Sequence, residues 1–426
     1  MVSAAETHRV VGHSAKRIDG DRRVLGIERY TGDLRLPGML FARPIPSPVP
    51  HARVRNVDRS AALALPGVVA VLTADDLPVR RPLSSLPGKS PLCFDEVSYV
   101  GQWVAVVVAE SDQLARDAVE LVEIDYEELP FIANFESGLH EDAPPARMVQ
   151  GSISAEEAAA HNADAGKKAA VAEEPKSVNV SNTIRYERGD IEAALAGSHA
   201  TATVSIKSDA VHQGYIEPQI ALTTIDALGK IHMYSSTQAG FMVRGRIADW
   251  LGKSVNDVVV TTMPVGGAFG GKFMMMEPVA AAVAAAVNRP VLLEYGRTDE
   301  FATSNPAPAC EMSVTVGADA DGKLTGLKGD ITYDSGALAG SPLTIAAMLL
   351  GGYYKFDNLL ITGREVLTNR AAAGAYRAPG AQQASFAIES AIDDLADQLG
   401  IDPLEFRLAN CAEEGDLRPS GGAWPK

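Results

Sequence analysis

Pro264-Val265-Gly266-Gly267-Ala268-Phe269-Gly270-Gly271-Lys272 is the stretch on which the reading of this chain turns. Four glycines fall within the six positions 266–271. Such a loop leaves backbone amides free to face a bound anion. The residues before it, Val258 to Thr262, are β-branched and predict a strand. Those after it, from Glu277-Pro278 through alternating Ala and Val to Val287, predict a helix with Pro in its first turn. Strand, glycine loop and helix N-terminus together form an arrangement that binds phosphate-like groups. Taken alone, the loop is equally a tight turn that serves only packing.

The loop comes one residue short of a nucleotide P-loop. Gly266, Gly271 and Lys272 satisfy the first seven positions of that pattern, but the eighth, which needs a magnesium-binding hydroxyl, is Phe273. An ATPase or GTPase, or a nucleotide-dependent phosphotransferase, is therefore disfavoured.

The 426 residues are enough for two or three domains with sizeable cores. A formal net charge of −16 argues against a nucleic-acid partner, which needs a basic face. Cys93, Cys310 and Cys411 are far apart and form no Cys-x-x-Cys pair, so no iron–sulfur or zinc signature is expected on this chain. Scattered, unpaired cysteines suit a reducing compartment. The N-terminus has no apolar signal core, and no apolar run is long enough to span a bilayer, so a cytoplasmic location without membrane contact is expected.

Residues 1–135 read as one α/β unit. Gly67–Leu72 and Trp103–Ala109 are β-rich, Leu114–Leu121 has helical spacing, and Val122–Tyr126 is strand-like. Pro44-Ile45-Pro46-Ser47-Pro48-Val49-Pro50 is expected to be an extended loop rather than a central strand. Residues 136–178 are rich in Ala, Glu, Lys and Ser and predict a linker or surface excursion, with a short helix at 155–160. From 179 onward ordered structure returns. Strands are expected at 200–206 and 221–226, a helix at 240–251, and a hairpin about Asp319–Gly322. A C-terminal helix carries Ala384, Ile388, Ala391 and Leu395 on one face.

Three separated segments occur in one order: Ser236-Thr237-Gln238, Gly266 to Lys272, and Ala375-Tyr376-Arg377-Ala378-Pro379-Gly380. Together with Tyr99-Val100-Gly101-Gln102 and His212 to Pro218, they resemble the molybdenum-binding large subunit of the xanthine dehydrogenase and aldehyde oxidase family. The resemblance covers most of the chain. It implies an α+β fold, with an N-terminal α/β hammerhead domain at 1–135 and the first half of a mixed α/β molybdopterin-binding domain at 179–426. It implies a molybdenum–pyranopterin cofactor, often in the cytosine dinucleotide form. The resemblance places the Gln238 amide beside the metal's apical oxygen, and an amide donor there adds no charge. It brings the backbone at Phe269 and Arg377 close to the metal centre and the pterin, with the small neighbours Gly267, Ala268 and Gly270 letting main chain approach the cofactor.

In that family the catalytic base is a glutamate in the second half of the large subunit, which this chain does not reach. No catalytic residue is therefore assigned here, and Glu217 is read as part of the lead-in to the metal domain. The resemblance implies a split large subunit of the nicotinate dehydrogenase type, or a truncated chain. It further implies partner chains bearing the second half of the domain, iron–sulfur clusters and FAD. The reaction implied is hydroxylation of a small-molecule substrate by water. Purine enzymes of the family carry a glutamate, an arginine and a phenylalanine where this chain has Phe273, Ile345 and Pro379. Apolar groups there would leave a purine's polar edge unpaired, so an aldehyde or a less polar N-heteroaromatic is expected. The competing expectation is a scaffold chain that keeps the fold without the cofactor.

Overall fold

The structure, a computed structural model, describes residues 10–79, 90–147, 177–273 and 276–425. Its main feature is a seven-stranded sheet. In spatial order the strands are Val258–Thr262, Ile231–Ser235, Ile220–Ile225, Val291–Glu294, Leu40–Pro46, Trp103–Ala109 and Val68–Leu72. Leu40–Pro46 joins the early strands to the late ones, since Leu40, Phe41 and Ala42 pair in parallel with Val291, Leu292 and Leu293. The N-terminal unit expected at 1–135 thus shares its largest sheet with strands that follow residue 179.

That strand corrects one expectation. Pro44 and Pro46 lie inside it, opposite Val106 and Trp103. A proline has no N–H to give a ladder. It is tolerated here because the parallel partner reaches only as far as Ala42, leaving one side of the strand open beyond that residue. The Arg43 side chain partly fills the open side, its Nη1 donating to the Glu294 carbonyl at 2.7 Å. The turn begins only after Pro46.

Helix Glu277–Val287 packs on this sheet, with Val279 to Ala284 fully buried. Its small side chains let the helix lie close, and each Val removed from water contributes about 1.5–3 kcal/mol. Helix Gly240–Leu251 packs beside it and ends at Gly252 in the left-handed conformation.

A second sheet of five strands runs Val180–Arg188, Leu359–Leu367, Leu324–Gly336, Cys310–Ala318 and Ala200–Ser208. Helix Ala381–Leu399 lies across it and buries Ala384, Ile388, Ala391 and Leu395, the face expected from their spacing. Helix Leu343–Leu350 completes that core. A three-stranded sheet of Glu96–Val97, Ala52–Asp58 and Glu123–Glu128 caps the N-terminal unit.

Most of the segment expected as a linker, residues 148–176, lies outside the described residues, as does the short helix expected at 155–160. Its described flanks are knit into the fold at one point. Ala146 N–H donates to Asn179 Oδ1 at 2.8 Å, Asn179 Nδ2 donates to the Pro144 carbonyl at 2.9 Å, and Ser177 Oγ donates to the Gly138 carbonyl at 2.6 Å. Among the described residues no helix is long and apolar enough to cross a membrane.

Candidate functional site

Strands Ile231–Ser235 and Val258–Thr262 run side by side in parallel, so the segments that follow them leave the sheet at the same edge. Met263 N–H donates to the Ser235 carbonyl at 2.9 Å, carrying the contact past the strand ends. Ser236-Thr237-Gln238 and the glycine loop then lie against each other. Gln238 N–H donates to the Lys272 carbonyl at 2.9 Å, and Gly270 N–H donates to the Gln238 side-chain oxygen at 2.9 Å. The third segment closes on the same loop, with Arg377 N–H donating to the Phe269 carbonyl at 2.8 Å. Hydrogen bonds thus bring together three segments spread over residues 236–380.

The loop has a shape that only its composition permits. Gly267 and Gly270 have φ of 101° and 106°, and Phe269 adopts φ of 51°. A Cβ on Gly270 would sit 2.5 Å from the Ala375 carbonyl oxygen, so glycine is required for the third segment to approach. Gln213, from the lead-in segment, holds that approach by donating through Nε2 to the carbonyls of Ala375 and Asn305, each at 2.8 Å.

The donors left over define what the site can hold. Gly266 N–H goes to Glu217, Gly270 N–H to Gln238 and Gly271 N–H to Ala268. Among the described residues, the amides of Gly267, Ala268 and Phe269 in the middle of the loop have no protein acceptor, nor do those of Val265, Lys272 and Phe273 at its ends. Because the Gln238 oxygen is occupied by Gly270, its NH2 is the end left to donate outward from an exposed side chain. Backbone amides and a carboxamide NH2 are neutral donors, suited to anionic oxygens or an oxo group. The residues present therefore fit a cofactor gripped through its ligand shell.

One sequence expectation is revised. The helix N-terminus after the loop is not offered to a ligand, since Glu277, Pro278 and Val279 are buried, with Glu277 Oε1 accepting from Ser235 Oγ at 3.2 Å. Lys272 does not face the open side of the loop either. It is 2% exposed and turns into the core, with Nζ 2.6 Å from Glu217 Oε2. A P-loop lysine must reach phosphates, so the nucleotide reading loses its main residue. Glu217 spends Oε2 on Lys272 and Gly266, and its Oε1 is buried with no hydrogen-bond partner among the described residues.

The positions expected to read substrate are differently placed. Phe273 is half-buried and packs against the core between the seven-stranded sheet and helix Glu277–Val287. Ile345 is half-buried on helix Leu343–Leu350, outside the cluster entered by its neighbours Leu343, Ala346 and Ala347. Pro379 lines an open cavity of about 360 Å³ together with Val211, Tyr376 and Phe386. Sequence reasoning missed Asn305, Glu300 and the role of Tyr215. Glu300 is fully buried, accepting from Tyr215 O–H at 2.6 Å and from Gln219 N–H. Burial, reinforced by Glu300, pushes the Tyr215 phenol up. No local pattern marks these residues, because their partners lie about eighty residues away.

The family model for a molybdopterin cofactor-binding domain matches residues 172–411, and that for the aldehyde oxidase and xanthine dehydrogenase a/b hammerhead domain matches residues 25–130. The chain belongs to the molybdenum hydroxylase large-subunit family. Among relatives of this family, it is 29% identical over 411 residues to a probable xanthine dehydrogenase subunit of Bacillus subtilis, covering 95% of this chain and 51% of that one. It is 28% identical to the nicotinate dehydrogenase large molybdopterin subunit of Eubacterium barkeri, covering 97% of this chain and 92% of that relative. The aldehyde oxidoreductase of Desulfovibrio gigas superposes with a TM-score of 0.83 at 28% identity, covering 96% of this chain and 44% of that one. The chain thus spans about half the length of several molybdenum hydroxylases it matches, and nearly all of the Eubacterium protein.

Proposed function

We propose that this chain is the cofactor-gripping portion of a molybdenum hydroxylase that hydroxylates an aldehyde or an N-heteroaromatic carbon with oxygen from water. The observation that carries the reading is the unused donor set: the amides of Gly267, Ala268 and Phe269, and the NH2 of Gln238 left over by its bond to Gly270. When bound, the molybdenum–pyranopterin supplies a metal able to take two electrons from a carbon–hydrogen bond. This chain's share is binding and orientation. Gln238 would hold the group through its side-chain NH2 and help orient it without adding charge. The glycine loop and the Arg377 backbone seat the pterin, and the unused amides suit the phosphates of a cytosine dinucleotide form.

The overall change, R–H plus water to R–OH with two electrons and two protons released, needs a base and an electron exit. We assign the base to the remaining part of the large subunit, on a partner chain as in a split subunit. The exit runs through iron–sulfur and FAD subunits. The near-full coverage of the Eubacterium protein supports the split arrangement. We place the complex in the cytoplasm. Of the three positions expected to read substrate, Pro379 faces an open cavity, and its apolar lining of Val211, Tyr376 and Phe386 disfavours purines. The intact donor set gives no support to a scaffold role without cofactor.

The test is turnover by the purified complex in ¹⁸O-labelled water with a dye acceptor. An aromatic aldehyde or an uncharged N-heteroaromatic such as quinoline should be oxidised with label in the product, and xanthine should be slow. Fast xanthine turnover, or product oxygen that does not come from water, would contradict the proposal.

A further inference from the structure

We infer that Glu217 and Lys272 are positioning residues for the cofactor, one carboxylate oxygen stapling both ends of the glycine loop and holding it in register with Gln238. The inference rests on the molybdopterin reading of this site.

Glu217 Oε2 accepts from Gly266 N–H at 2.7 Å, at the start of the loop, and from Lys272 Nζ at 2.6 Å, at its end. Between these points lie Gly267 and Gly270, both with positive φ. Glycine-rich segments have wide conformational freedom, so a loop of this kind holds one shape only when anchored from outside. The staple supplies that anchor.

Lys272 then transmits the position to the neighbouring segment. Its carbonyl accepts from Gln238 N–H at 2.9 Å, and its Nζ lies 3.2 Å from Ser236 Oγ. Main chain and side chain of one residue thus grip both sides of the Gln238 segment. Any movement of Lys272 shifts the Gln238 NH2 relative to the amides of Gly267 to Phe269.

The pair is placed where it cannot serve solubility or a surface contact. The Nζ lies 5.1 Å from the Tyr215 ring centroid, and Tyr215 in turn is fixed by Glu300. Burial lowers the lysine pKa, while Glu217 opposes the shift. A buried ion pair is a weak source of net stability, and apolar replacements of similar volume are often tolerated. Geometry is the better account of why the loop ends on a charged pair.

The test uses the assembled complex. The double variant Glu217→Gln with Lys272→Met keeps an acceptor for Gly266 and leaves no charge unpaired. It should assemble and melt like the wild type, yet release molybdenum and pterin on dialysis at least about tenfold faster. Its Mo(V) electron paramagnetic resonance spectrum, taken on partial reduction, should differ from the wild type. A double variant that keeps its cofactor at the wild-type rate, with an unchanged spectrum, would overturn the inference. Should that variant fail to fold, Glu217→Gln alone replaces the shared charged oxygen by a neutral one and weakens the hold on both Gly266 and Lys272. Faster release from it supports the staple, and wild-type release overturns it. A wild-type complex without molybdenum overturns both this inference and the reading beneath it. A loaded wild type with unaffected variants overturns only the staple.

Discussion

Gln238 accepts the Gly270 N–H at 2.9 Å through its side-chain oxygen, and this one bond decides which end of the carboxamide faces outward. A carboxamide can present oxygen or nitrogen to a ligand. Here the glycine loop takes the oxygen, so the NH2 is the group the site offers.

Glu at position 238 would keep the acceptor for Gly270 and replace the donor by a negative oxygen. Gln238→Glu is expected to fold normally, because the side chain is exposed, and to lose about 10–100-fold in activity or metal affinity. Steady-state kinetics beside molybdenum content per chain checks this. Activity equal to the wild type would remove Gln238 from the site.

Gly270→Ala places a Cβ 2.5 Å from the Ala375 oxygen at φ of 106°. The expected destabilisation is about 1–3 kcal/mol, from backbone strain at that φ. It should be accompanied by loss of bound cofactor, because the Gln238 contact moves with the loop. Gly245→Ala, in the interior of helix Gly240–Leu251 with open space around it, is expected to raise stability by about 0.5–1 kcal/mol. Denaturant titration of the pair separates a site glycine from an ordinary helical one.

Asn369 ties three distant segments with one side chain. Its Oδ1 accepts from Ile132 N–H at 2.8 Å, and its Nδ2 donates to the carbonyls of Ser98 at 2.9 Å and Ala146 at 2.8 Å. All of these groups are buried. Asn369→Ala would leave buried backbone groups unpaired, at about 1–3 kcal/mol for each that water cannot reach. A lower melting temperature with unchanged secondary structure is the expected result.

His51 gives the N-terminal unit a pH dependence. Nδ1 lies 2.5 Å from the Pro130 carbonyl and Nε2 lies 2.9 Å from Glu96 Oε1. With an acceptor on each nitrogen, the doubly protonated ring is the form that satisfies both. Burial opposes the charge, but Glu96 and the Pro130 carbonyl outweigh it and raise the pKa above the ordinary 6.5. The folded state then holds the proton more tightly than the unfolded one. This stabilisation is complete below pH 6.5 and is lost as pH rises through the raised folded value. Melting temperatures measured from about pH 6 to about pH 9 should fall more steeply for the wild type than for His51→Gln.

Much of this fold is legible where the pattern is local. Trp103–Ala109, Val258–Thr262 and Gly240–Leu251 follow from β-branched runs or helical spacing closed by glycine. The three site segments were readable as a set, and the structure joins them through Gln238, Gly270 and Arg377. What stayed hidden depends on distant partners. Leu40–Pro46 looks unfit for a sheet until Val291–Glu294 is seen to pair with only its first three residues. Lys272 looks like an anion ligand until Glu217, fifty-five residues earlier, is found beside it. Glycine loops have similar sequences whether their lysine points out or in, and the difference lies in what the core offers.

The central claim is that the exposed side of this loop seats a metal-bearing pterin beside Gln238. An anomalous difference map of the intact complex at the molybdenum absorption edge tests it most directly. The account predicts a single strong peak beside the Gln238 carboxamide, next to the backbone of Phe269 and Arg377. Packed side chains filling that crevice, or a molybdenum peak remote from it, would contradict the account.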